Sequence, residues 1–175
     1  MDFMEIARAR QSCRAYDPDR PVDEALIRSC LEAGRLAPSA CNAQPYHVTV
    51  AQGSAARQVA EAVHSMGMNK FAREVPVFLV LSETAYNPTA AVGARLKAQD
   101  YRSVDMGIAA AYITAQAAAL GLGSCILGWF DEKKLASALG LTQRIRLVIS
   151  LGYPRQGDPL RPKKRKELSE LATWL

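Results

Sequence analysis

The chain lacks most of the short motifs that mark a catalytic site. Its two histidines, His47 and His64, are not part of an HExxH. The four cysteines, Cys13, Cys30, Cys41 and Cys125, show neither CxxC nor zinc-finger spacing. A His/Cys metal centre is therefore not expected. No GxxxxGK[ST] and no GxSxG is present. GLGSCI at 121–126 puts Ile126 where the third glycine of a dinucleotide fingerprint would stand, and a strand pattern follows it instead of a helix. The first residues, MDFMEIARAR, carry acids at Asp2 and Glu5 and no apolar run, so no signal peptide is expected. The most apolar stretch, Ile108–Phe130, is interrupted by Gln116 and by glycines at 121, 123 and 128, so it reads as helix, turn and strand, not as a membrane span. Together these absences argue against hydrolase, kinase and simple NAD-dehydrogenase readings. They favour reduced thiols and a cytoplasmic protein.

What is present is enough for a core. A domain near 175 residues buries roughly 70% of the surface its unfolded chain exposes, and apolar residues make up 49% of this one. The net charge is +5, and the run RPKKRKEL (161–168) alone carries Arg161, Lys163, Lys164, Arg165 and Lys166. The excess charge equals this one segment. A nucleic-acid binder spreads its basic residues over a face, whereas a single cluster is also what one bound anion needs.

Hydrophobic spacing gives the element order. Residues 3–12 read as a helix with Phe3, Ile6 and Ala7 on one stripe, and Arg10 next along it. A second helix starts at Pro21, carries Leu26, Cys30, Ala33 and Ala37 inward, and stops at Pro38. Residues 46–52 alternate as a strand, and 54–66 form a helix with Val59, Val63 and Met66 on one side. VPVFLVLS (75–82) has the continuous apolar character of a strand buried on both faces. Residues 84–100 read as a loop with a short helix. An Ala-rich helix over 104–120, apolar nearly all round, is central or interfacial. A strand follows at 124–130, then a short helix capped by Asp131 and stopped by Gly140, and a strand at 145–152. Leu168, Leu171, Ala172 and Leu175 repeat at helical spacing. The order implies one sheet flanked by helices, α+β or α/β.

Three stretches could carry chemistry. RQSCR (10–14) places two arginines and a hydroxyl within one turn. It is either a solvated surface pair or an anion clamp. APSACNAQPYH (37–47) is either a polar loop or a close backbone approach to something flat, with Asn42 and Gln44 able to donate and accept. LGLGSCILGWFDE (120–132) places Gly128 in a strand, as a bulge or where a ligand comes close.

Together with the late basic run, these stretches resemble the nitroreductase-like flavoprotein family, from RQSCR near the start to GYPRQGDPLRPKKRKEL near the end. The resemblance implies an α+β three-layer sandwich, with a central mixed sheet flanked by helices, in an intertwined homodimer. Residues 1–160 would form a single FMN-binding domain, and 161–175 the basic arm and C-terminal docking segment of that domain. FMN would sit at the dimer interface. By this resemblance Arg10, Gln11, Ser12 and Arg14 hold the phosphate, the ribityl chain and the polar edge of the flavin. Pro38, Ser39, Ala40, Asn42 and Gln44 line the ring from the other subunit. Leu127 and Gly128 bring backbone N–H groups to its reactive nitrogen, and Lys163 and Arg165 grip the phosphate. Lys164 and Lys166 are expected to be solvated. The implied activity is ping-pong hydride transfer from NADH or NADPH, through the flavin, to a nitroaromatic, quinone or similar small electron-poor acceptor. No residue is singled out as acid or base. No metal, nucleic acid or membrane partner is expected. The alternatives are a flavoprotein with another job (enone reduction, reductive dehalogenation or flavin sensing) and a module whose basic arm binds nucleic acid. The chain departs from the family pattern in having Cys at 13, Tyr at 46 and a compact 84–100.

Overall fold

The computed structural model describes residues 2–65, 67–86, 88, 91, 96 and 98–175. Four strands form one sheet in the order β1 (Tyr46–Gln52), β2 (Val77–Glu83), β4 (Ile145–Gly152), β3 (Gly123–Leu127). Every neighbouring pair is antiparallel. The sheet is thus antiparallel and not mixed; among the described residues the one parallel pairing is an isolated bridge outside the strand ladders, Ser12 to Ser124, which lays the RQSCR stretch along the outer edge of β3.

β2 is buried on both faces, as its unbroken apolar run requires. Phe78 and Val80 face α3 (Gly53–Val63) and α5 (Glu132–Leu139) in one core cluster with Val59, Val63, Leu135 and Val148. Val77, Leu79 and Leu81 face α2 (Glu24–Arg35) and α4 (Tyr101–Ala119) in a second cluster with Ile27, Cys30, Met106, Ile113 and Ile149. Helices therefore cover both faces of the sheet, and the fold is a three-layer α+β sandwich.

Several boundaries differ from the sequence reading, each for a local reason. α1 spans Phe3–Ala9 instead of 3–12, because Arg10 leaves the helical region (ψ 121°). The Phe3–Ile6–Ala7 stripe does not meet the chain's own core: no α1 residue is buried, and Phe3 is 74% exposed. α2 begins at Glu24, not Pro21, since the Asp23 carboxylate accepts the Ala25 N–H at 2.8 Å and caps the helix there. Its inner face is Ile27, Cys30 and Gly34. Leu26 and Ala33 are only partly buried. α4 starts at Tyr101, where Asp100 accepts from Ser103 N–H (3.3 Å) and Oγ–H (2.7 Å). β3 stops at Leu127, so Gly128 lies beyond the strand instead of interrupting it. The C-terminal helical spacing gives one turn, α6 (Leu168–Leu171). Met66 and most of 84–100 lie outside the described residues.

An ion-pair group fixes the start of α4 to the sheet. Glu83 at the end of β2 bonds Arg146 of β4 and, at 3.2 Å, Arg102 of α4. Arg146 also reaches Asp100 at 3.1 Å.

Candidate functional site

Residues 10–17 and 153–163 run side by side in opposite directions. Asp17 N–H donates to Tyr153 O at 3.0 Å and Arg155 N–H to Ala15 O at 3.0 Å. A turn follows, closed by Asp158 N–H to Arg155 O at 3.0 Å, with Gly157 in the left-handed region (φ 84°) that glycine adopts without strain. The chain then continues along the first segment. Gln11 Nε2 donates to Pro159 O (3.2 Å), and Gln11 Oε1 accepts Arg161 N–H (3.0 Å). Arg161 Nη2 donates to Ser12 O (2.9 Å), and Lys163 Nζ donates to Arg10 O (2.7 Å). The basic run is thus folded back against RQSCR.

Between them lies a cleft of about 290 Å³, lined by Arg10, Gln11, Ser12, Arg14 and residues 161–165. Arg161 is paired with Asp158 at 3.3 Å. Arg10, Arg14, Lys163, Lys164 and Arg165 have no carboxylate partner among the described ion pairs. Burial and the neighbouring Arg10 and Arg165 guanidiniums push the Lys163 ammonium below its ordinary range. Crowded cations with open donors are the arrangement that a phosphate dianion relieves. The donor set fits that group.

The cleft is held close to the sheet. A Cβ on Gly123 would come within 2.7 Å of Cys13 Sγ and 2.9 Å of Cys13 Cβ, so only glycine lets RQSCR lie against β3. Cys13 N–H donates to Ser124 O at 2.9 Å. Burial pushes the Cys125 thiol up, opposed by the Arg14 and Arg10 charges and the Ser12 hydroxyl. These thiols are buried structural groups, not nucleophiles. Beyond β3, Leu127 is buried and Gly128 exposed, and a Cβ on Gly128 would meet nothing within 4 Å.

The 37–44 loop lies elsewhere. Cys41, Asn42 and Gln44 all take left-handed backbone (φ 51°, 51° and 44°), unusual for three non-glycine residues in so short a stretch. Gln44 N–H donates to Ser39 Oγ at 3.0 Å, and its Nε2 donates to Asn42 O at 3.0 Å. Ala40 N–H is held by Asp105 Oδ1 at 3.0 Å. Asp105 is 2% exposed, and its second oxygen has no partner. Pro38, Asn42 and Gln44 are exposed, and Ser39 and Ala40 are partly buried.

The two regions are far apart. The loop leads into β1 and is anchored near the start of α4, while RQSCR borders β3 at the other sheet edge and faces Ala118 near the end of α4. Asp105 and Ala118 are roughly 20 Å apart along the helix. Three strand spacings add roughly 14 Å across the sheet. The structure therefore brings together Arg10, Gln11, Ser12, Arg14, Lys163 and Arg165 with the edge of β3. It does not bring Pro38, Ser39, Ala40, Asn42 or Gln44 to them within one chain.

Four residues outside the sequence candidates help to build these regions. Arg161 and Asp158 hold the arm, and Asp105 holds the loop. Asn69 donates to Val63 O and Trp129 O, each at 3.1 Å, and ties the end of α3 to the segment after β3. Asp158 and Arg161 stand in the late basic stretch, where nothing marks them as a pair, and Asp105 and Asn69 sit in no motif.

Comparison with known proteins gives the family and the fold. The model described as "Nitroreductase family" matches residues 7–68 and 64–153. The NADH dehydrogenase of Thermus thermophilus is 30% identical over 99% of this chain and 96% of its own length. The oxygen-insensitive NADPH nitroreductase of Helicobacter pylori is 25% identical over 98% and 96%. Among solved structures, a Desulfovibrio desulfuricans nitroreductase in complex with FMN superposes with a TM-score of 0.78 at 26% identity, covering 100% of this chain and 97% of that one. A Streptococcus pneumoniae protein of the same family superposes at 0.83 with 21% identity, covering 99% and 100%.

Proposed function

The chain belongs to the nitroreductase family, and from that premise we propose that it is an FMN-dependent NAD(P)H oxidoreductase that reduces small electron-poor acceptors such as nitroaromatics or quinones. The observation that carries the reading is the cleft between RQSCR and the basic arm. Its cations crowd one another, and burial together with the Arg10 and Arg165 charges lowers the Lys163 ammonium. Arg10, Lys163 and Arg165 are assigned to the FMN phosphate. Ser12 and Gln11 lie beside them, toward the ribityl chain. Arg14 is assigned to the polar edge of the ring, where a fixed cation favours negative charge.

The bound cofactor supplies the hydride chemistry, and the protein supplies binding, orientation and electrostatics. Leu127 and Gly128 are assigned to the ring as backbone donors, with open space over Gly128 for its approach. Pro38, Ser39, Ala40, Asn42 and Gln44 are assigned to the ring of a second copy, because their own clamp lies at the far end of α4. This makes the active form a homodimer. Exposed apolar residues on α1 (Phe3, Met4), α4 (Val104, Tyr112) and the C-terminal end (Leu168, Trp174) offer the surface for it.

Residues 1–160 and the arm at 161–175 act as one domain in this reading, since the arm completes the cleft. The arm is folded back and not projected, which favours a small anion over nucleic acid. No helix among the described residues is long and apolar enough to cross a membrane. We place the enzyme in the cytoplasm on its unpaired, buried thiols Cys13, Cys30 and Cys125.

The test is the visible spectrum of the purified protein, before and after incubation with FMN and desalting. A flavin spectrum that travels with the protein and bleaches with NADH or NADPH is the expected result. A protein that stays colourless in excess FMN refutes the proposal.

A further inference from the structure

Of the cations on the arm beyond Pro162, Lys163 reaches across the cleft, to Arg10 O at 2.7 Å. Lys163, Lys164 and Arg165 sit on an arm with no regular structure between β4 and α6. Like charges push such an arm away from Arg10 and Arg14. Something must oppose that push before any anion arrives.

Besides the Lys163–Arg10 bond, the opposing contacts converge on Arg161, Asp158 and Gln11. Arg161 uses two edges of its guanidinium, Nη1 to Asp158 Oδ1 (3.3 Å) and Nη2 to Ser12 O (2.9 Å). Its backbone N–H meets Gln11 Oε1, and Gln11 Nε2 returns to Pro159 O. Both ends of the Gln11 amide are thus spent on the arm. The Asp158 side chain is only 9% exposed and Arg161 is 43% exposed, so the acid is the inner member of the pair. Asp158 Oδ2 is buried and has no partner, which commits this carboxylate to the pair through Oδ1 alone.

We propose that Asp158, Arg161 and Gln11 form a clip that fixes the basic arm and thereby sets the cleft's selectivity for a phosphate-bearing ligand. All three are positioning residues. Asp158 acts through Arg161, and Gln11 acts through the arm backbone. This inference rests on the reading of the cleft as a phosphate site, and it reassigns the Gln11 side chain from the cofactor to the arm. Preorganised donors bind without first meeting the cost of ordering. Loss of the clip therefore weakens ligands that carry phosphate and spares those that lack it.

The sign of one substitution separates the clip from simple electrostatics. Asp158 lies close to an anion site, so charge alone predicts that Asp158→Asn tightens anion binding. The clip predicts the reverse, because Arg161 loses its ion-pair partner and the arm loosens. FMN and riboflavin share the ring and ribityl chain and differ by the phosphate. We expect Asp158→Asn to raise the FMN dissociation constant about tenfold and to leave that of riboflavin within about twofold. Gln11→Met, which keeps the length but drops both bonds, is expected to move the FMN-to-riboflavin ratio the same way. Circular dichroism confirms folding, and if Asp158→Asn does not fold, Gln11→Met carries the test.

Inorganic phosphate alone, read by thermal shift, serves as a probe that needs no flavin. If the parent protein takes up phosphate but no flavin, the functional proposal fails while the clip is still tested by loss of the phosphate shift in the variants. An unchanged or tighter affinity for FMN or phosphate in folded Asp158→Asn, or a ratio left unmoved by Gln11→Met, overturns the clip.

Discussion

The cation-lined cleft and the 37–44 loop solve opposite problems. The cleft concentrates charge. It gathers cations that repel, and holds them with neutral carbonyls, one amide and one ion pair. The loop concentrates backbone strain. It keeps three non-glycine residues in left-handed conformation with a buried carboxylate behind Ala40. Each is assembled within one chain, yet neither reaches the other in that chain. Under the proposed function, the difference divides the site into a half that reads charge and a half that reads a flat surface. Two copies of one sequence can then supply both.

The largest effect should come from emptying the charged half. Arg10→Ala with Arg165→Ala removes two charge-assisted contacts of about 1.5–3 kcal/mol each. FMN retention through desalting is expected to disappear, with riboflavin affinity little changed. Normal FMN binding in this double variant would remove the phosphate assignment.

The strained half should respond next. Asp105→Ala leaves the Ala40 N–H without its acceptor, a loss of about 1–2 kcal/mol. Its effect is expected on the ring. FMN and riboflavin should both weaken about tenfold, in contrast to the clamp variants, where only FMN suffers. Asp105→Asn keeps an acceptor oxygen and should recover most of the loss. Equal damage from the two substitutions would show that the charge matters, not the bond to Ala40. Isothermal titration with both ligands distinguishes these outcomes.

A smaller effect should appear in pH. Lys163 sits below the ordinary lysine range because of burial, Arg10 and Arg165. A bound phosphate favours its charged form. Below the lowered pKa the lysine is already charged and binding takes up no proton. Above it, binding must recruit one. FMN affinity should therefore fall as pH rises through the lowered value, beginning below the range of a free lysine. Lys163→Arg should flatten that limb. A fall that begins only in the ordinary lysine range would contradict the crowding. The smallest effect belongs to Lys166, which is exposed and does not line the cleft, so Lys166→Ala should change FMN affinity less than about twofold. Lys164 borders the cleft but is likewise exposed to solvent.

The sheet was legible because its strands obey simple patterns. β1 and β4 fall at the expected bounds, and the unbroken run at 75–82 correctly implies a strand with helices on both sides. The starts of α2 and α4 were misplaced because Asp23 and Asp100 compete as caps with a nearby proline and with the onset of apolar residues. Gly128 was read inside a strand because Trp129 and Phe130 continue the apolar pattern past the last paired residue. In the cleft, RQSCR and the basic run stood out in the sequence as cation-rich stretches. Their pairing, and the division of labour between Arg161 and its neighbours, depend on contacts between residues about 150 positions apart, and local spacing carries no trace of those. Asp105 was invisible for the same reason: an acid on an apolar helix shows its partner only when the loop folds onto it.

The central claim is that one flavin site takes its charged half from one chain and its strained half from another. Mixing variants tests this directly. One variant carries Arg10→Ala and Arg165→Ala, and the other carries Asn42→Ala and Gln44→Ala. Each alone should retain little FMN. Unfolded together and refolded as a random mixture, they should recover about a quarter of the parent's flavin sites, since half the dimers are mixed and each mixed dimer regains one intact site. No recovery from folded, mixed dimers would contradict the account and place the whole site within a single chain.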